Sequence, residues 1–160
     1  MTPEAISLLK ERIDRELPNS FKELEETIVT YKDALDLNRI GFNEPCHTYF
    51  GEVNEGEFWA FQRDAHEKEF MTGVLAPTYQ QAFSYIERVY AVKGYTIHTN
   101  SNGTWNFAIH QWNFDNNIGQ WEYINNISSQ ETQRLSEMAC FKKLIELVDI
   151  RIELIKRYGI

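Results

Sequence analysis

The stretch PTYQQAFSYIERVYAVKGYTIHTNSNGTWNFAIHQW, Pro77 to Trp112, decides the fold, and its reading changes period halfway. Thr78-x-x-Gln81 has the spacing of a capping box, with Pro77 suited to a helix start. Tyr79, Ala82, Phe83, Ile86, Val89 and Tyr90 then recur every three or four residues, one apolar stripe of an amphipathic helix. Gly94 follows Lys93, where a left-handed glycine closing the helix is expected. Beyond it the period is two: Tyr95, Ile97 and Thr99 alternate with Thr96, His98 and Asn100, and Trp105, Phe107 and Ile109 with Asn106, Ala108 and His110. A two-residue Asn-Gly turn pairs Ile97 with Ala108. A three-residue turn with Gly103 left-handed pairs Ile97 with Phe107, which gathers the large apolar groups on one face, and is the preferred reading. That face and the helix stripe then bury each other.

The rest of the chain extends this unit in both directions. Its 160 residues suffice for one domain with a real core. Before it, Thr2-Pro3-Glu4 opens a helix with Ile6, Leu9, Ile13 and Leu17 on one side, and Pro18 stops it. Ser20-x-x-Glu23 opens a second helix carrying Phe21, Leu24, Ile28, Tyr31 and Leu35. The two read as a helical hairpin over residues 3–37, with nine acidic and five basic side chains, and set residues 1–38 apart from an α+β part at 39–160. Cys46–Phe50 and Glu57–Phe61 read as short strands joined through Gly51 and Gly56, and Phe70–Leu75 as another. After the hairpin, Gln120–Ile124 gives a third strand. Ser128-x-x-Glu131 then opens a helix that nothing breaks before Gly159.

Met138, Phe141, Ile145, Val148, Ile152 and Ile155 fall on that last helix in a short heptad seam. A helix of this length outruns a small sheet, so its second half needs a further partner. The expected one is the N-terminal hairpin, forming a small bundle; the alternative is self-association through Phe141, Ile145, Val148, Ile152 and Ile155. Hairpin followed by helix occurs over 46–93 and again over 95–158, a hint of internal repetition. The fold class expected is α+β: a small antiparallel sheet with two helices on one face, plus a terminal helical bundle.

Ala76-Pro77-Thr78-Tyr79-Gln80-Gln81-Ala82-Phe83 resembles a signature of short proteins encoded in Bacteroides-type genomes, often near phage or mobile-element genes. Glu44-Pro45-Cys46 with Tyr49 resembles the group's upstream segment, and Ala139-Cys140-Phe141-Lys142-Lys143-Leu144-Ile145-Glu146 its closing helix. Where the group carries Trp-Phe-Arg, this chain has Tyr85-Ile86-Glu87-Arg88. The resemblance implies a genomic setting and no chemistry. The order helix, three strands, helix over 77–150 is similar to that of double-stranded-RNA-binding domains, which grip phosphates with lysines at the second helix. Here that place reads Ser129-Gln130-Glu131-Thr132-Gln133-Arg134, and residues 77–149 hold five basic against seven acidic side chains.

A net charge of −8 argues against long contacts with a phosphate backbone. The 14% of aromatic residues argues against disorder. The charged N-terminus lacks a signal core, and no run reaches transmembrane length, so a cytoplasmic location is expected. Cys46 and Cys140 follow no ligand spacing and read as free thiols. No nucleophile motif, phosphate loop or metal-ligand spacing stands out, so no catalytic residue, cofactor or metal is assigned. His98 and His110, some 13 Å apart along the ribbon at about 3.3 Å per residue, are too distant to share one ion. What remains is the second face of the sheet, with Thr96, His98, Asn106, His110 and Trp112 as a recognition surface. These readings favour a non-enzymatic interaction protein with a protein partner or itself. A small hydrolase-type enzyme is the alternative, and nucleic-acid binding comes third.

Overall fold

The computed structural model of the chain describes residues 26–55, 57–62, 73–99, 103–113 and 120–159. The chain divides into two compact units, residues 1–78 and 79–160. Among the described residues the strands form two three-stranded antiparallel sheets, where the sequence led us to expect one.

In the first unit the described part holds helix α1 (Tyr31–Arg39) and strands β1 (Thr48–Asn54), β2 (Glu57–Gln62) and β3 (Val74–Leu75), with β1 in the middle. Residues 3–25 of the expected hairpin lie outside the described residues. Its second helix does not run unbroken to Leu35. Thr27-Ile28-Val29-Thr30 is a run of four β-branched residues, poor in helices because their side chains are stiff at the first torsion. Thr27 is still helical, and the chain then runs extended: Ile28 bridges Thr78, and the Val29 N–H donates to the Pro77 carbonyl at 2.9 Å. Thr30 then caps a fresh helix, its hydroxyl accepting from the Asp33 N–H at 3.2 Å. The buried side of α1 is consequently Ala34 and Leu37, while Leu35 is exposed. Gly51 sits within β1 opposite Trp59, so the turn follows Asn54.

The second unit contains α2 (Tyr79–Tyr90), β4 (Val92–Thr99), β5 (Thr104–Asn113), β6 (Gln120–Gln130) and α3 (Gln133–Tyr158), the strands ordered β4-β5-β6. Helix α2 begins directly after Thr78, and Tyr79, Ala82, Tyr85 and Ile86 are its buried side. It ends earlier than the glycine suggested. Ala91 takes the left-handed conformation (φ 53°) and returns its N–H to the Glu87 carbonyl at 3.0 Å. Gly94 is a strand residue with a different duty. A Cβ there would lie 2.7 Å from both Cys140 Sγ and Leu144 Cδ1, so glycine lets α3 approach the sheet.

Register completes the picture. Gly103 is left-handed (φ 68°), but Thr99 pairs with Thr104, a loop one residue longer than expected. Every pair therefore shifts by one: Thr96 faces Phe107, Ile97 faces Asn106 and His98 faces Trp105. Because side chains alternate, Val92, Gly94 and Thr96 share a face with Phe107 and Ile109, and Tyr95 and Ile97 go to the other. Phe107, Ile109, Cys140, Phe141, Leu144 and Val148 are fully buried together with Tyr79 and Ile86. Strand β6 runs six residues past Ile124, through bulged pairs that include Phe107 with Ile127. The Ser128 box is thus part of a strand, and Thr132 is the true cap, accepting from the Leu135 N–H at 3.2 Å. Helix α3 stops at left-handed Gly159 (φ 66°), as expected. The two strand–helix stretches differ in strand order, β2-β1-β3 against β4-β5-β6, and so are not copies of one motif.

Candidate functional site

The face of the β4-β5-β6 sheet away from Phe107 and Ile109 is built by alternation from Lys93, Tyr95 and Ile97 of β4, Asn106, Ala108, His110 and Trp112 of β5, and Trp121 and Tyr123 of β6. Direct pairing brings Lys93, His110 and Tyr123 into one row and Trp112 and Trp121 into the next. Tyr95 stacks on His110 (5.6 Å between ring centres, 17° between planes), and the Tyr95 hydroxyl shares a 3.1 Å hydrogen bond with His110 Nε2. Tyr123 meets the other side of His110 edge-on at 5.5 Å. Trp112 and Trp121 pack edge-to-face at 5.3 Å. Cross-strand aromatic pairs of this kind hold their rings in place.

These rings are exposed: Tyr95 39%, Trp121 37% and Tyr123 54%, with Ile97 at 39% beside them. The charge on the face is that of Lys93. Its ammonium pairs with Glu87 at 3.3 Å and lies 5.9 Å over the Trp121 ring. The sheet edge carries hydroxyls as well, Thr99 Oγ1 lying 2.9 Å from Thr104 Oγ1.

Of the five residues chosen from sequence, Asn106, His110 and Trp112 are on this face. Thr96 and His98 are on the opposite one, because the pairing slipped by one residue. His98 instead packs against Trp105 at 4.8 Å. The two histidines therefore stand on opposite faces. Sequence reasoning missed Tyr95, Trp121 and Tyr123; the signal was present in the alternation of Trp121 and Tyr123 about Glu122, which fixes their common facing.

Elsewhere the chemistry is sparse. Cys140 is fully buried, and burial, with Glu137 adding to it, pushes its thiol up to about 12, so it stays protonated and unreactive at neutral pH. Cys46 is also buried, its thiol directed to the Thr48 carbonyl at 3.1 Å. Among the described residues no three His, Cys, Asp or Glu side chains gather where they could hold a metal ion. A groove of about 500 Å³ runs between the end of α2, the start of β4 and the second half of α3. Its lining is Val89, Val92, Leu147, Ile150, Leu154 and other mostly apolar groups, with Arg151 at one side and neither a histidine nor a carboxylate. No described helix is long and apolar enough to cross a membrane. No protein-family model, curated protein or solved structure matches this chain, so its site rests on the geometry above.

Proposed function

We propose that this chain is a non-enzymatic interaction protein whose working surface is the ring-bearing face of the β4-β5-β6 sheet, and that it receives an uncharged, apolar segment of a partner protein. The observation that carries this reading is the exposure of Tyr95, Trp121 and Tyr123 as one cluster pinned by His110 and Trp112. Rings held in this way lose little entropy on binding, and Tyr and Trp are the residues that most often anchor protein interfaces. The charge is already neutralised, Lys93 by Glu87, which supports an uncharged occupant over an acidic or basic one. The apolar groove with neither histidine nor carboxylate gives the hydrolase alternative no support. A role beside a phage or mobile element is part of the same proposal, supported by the Ala76–Phe83 segment.

The test is a comparison. Tagged wild-type chain and a Trp121→Ala/Tyr123→Ala variant are used to capture proteins from a lysate of the encoding organism, with circular dichroism checking that the variant is folded. A stoichiometric partner seen with the wild type and lost with the variant is expected. Equal recovery by both, or no partner with either, refutes the reading.

A further inference from the structure

A second surface, on the other side of the unit, lacks a cover among the described residues. Helix α3 has 26 residues, about 39 Å, and from Glu153 to Gly159 every residue is exposed. The seam read from sequence does not account for this. Phe141, Ile145 and Val148 are already buried in their own unit, so they cannot join subunits. Instead a stripe that shares only Ile155 with that seam is bare: Ile150 (58% exposed), Leu154, Ile155 and Tyr158 (63%), continued by Val89 of α2 across the apolar groove.

We infer that a second copy of this chain covers this stripe, α3 against α3 about a two-fold axis with the helices antiparallel. Size is the first argument. About half of each of these five side chains is uncovered, on the order of 500 Å² per copy, since such groups each present roughly 150–250 Å². Complete coverage in both copies removes on the order of 1,000 Å², the lower limit for a specific interface. Charge is the second. Glu146, which also holds Lys143 at 2.7 Å, and Arg157 lie about three turns apart on one edge of the stripe. Antiparallel pairing centred near Ile152 sets Ile150 against Leu154 of the other copy and Arg157 against Glu146 of the other copy, twice over. Parallel pairing would leave each Arg157 about three turns from either Glu146 and make no such pair. The same register brings Tyr158 of the other copy to Leu147, on the groove wall. The interface is isologous, and the dimer presents two ring-bearing faces.

The full chain is examined by sedimentation at tens of micromolar. A species of twice 18.9 kDa is expected. Leu154→Glu, with unchanged circular dichroism, should give the monomer, whereas Tyr123→Ala should leave the dimer intact. Glu146→Arg should weaken association at least tenfold, and adding Arg157→Glu should restore it. A wild type that stays monomeric, a dimer that survives Leu154→Glu, or one that Tyr123→Ala dissociates overturns the inference. A charge swap that fails to restore association overturns the antiparallel register.

Discussion

Gly94, Ala91 and Cys140 carry more of the second unit than their size suggests. Gly94 looks in sequence like a helix stop, because it follows a basic residue at the end of an apolar periodicity. Only the packing of α3 shows that it is kept small for Cys140 and Leu144. Gly94→Ala should cost about 1–3 kcal/mol in chemical denaturation, the usual range for overpacking. Adding Cys140→Ala should make the pair cost less than the sum of the single changes. Ala91 sits where glycine would be expected. A left-handed residue with a Cβ costs about 1–2 kcal/mol, and glycine gives back roughly 0.5–1 in backbone freedom. Ala91→Gly should therefore raise stability by up to about 1 kcal/mol, read as a higher melting temperature. The Cys140 thiol predicts a pH effect. The unfolded chain releases this proton near 9.0 and the folded chain only near about 12, so the folded state binds more protons between them. Stability is full below pH 9 and falls as pH rises through that window, and Cys140→Ala should flatten the fall.

Elements were legible where local signals agreed, and misplaced where two signals competed. Helix α2, the left-handed Gly103, strand β2 and the end of α3 follow from caps, periodicity and glycine. The hairpin register did not, since one extra loop residue moves every side chain to the other face. That slip exchanged Thr96 and His98 for Tyr95 and Ile97 on the ring-bearing face. It gives a sharp test by denaturation: Phe107→Ala should cost about 3–5 kcal/mol, whereas Ile97→Lys should change stability little. Comparable costs at the two positions would refute the register. The helix start at Thr132 was hidden behind a better-looking box at Ser128, and that at Thr30 inside a run read as one helix to Leu35. Thr132→Ala should cost about 1 kcal/mol, and Ser128→Ala should cost much less. Helix α3 is apolar on two sides, so picking a single seam from its sequence selected the stripe that faces its own sheet. The bare stripe at Ile150 and Leu154 needed coordinates to be told apart.

At the scale of the molecule, the sequence conveys the α+β class, because that depends on composition and spacing. It could not divide the strands between two sheets, since pairing of β1 with β3 depends on contacts distant in the chain. The account turns on one property, a sheet sealed on the Phe107 side and open on the Tyr123 side. The most direct measurement is ring-proton relaxation by a soluble gadolinium chelate in aromatic NMR spectra of the intact chain. Tyr95, Trp121 and Tyr123 should broaden strongly while Phe107, Phe141 and Tyr79 stay sharp. Tyr95 and Tyr123 as protected as Phe107 would contradict it.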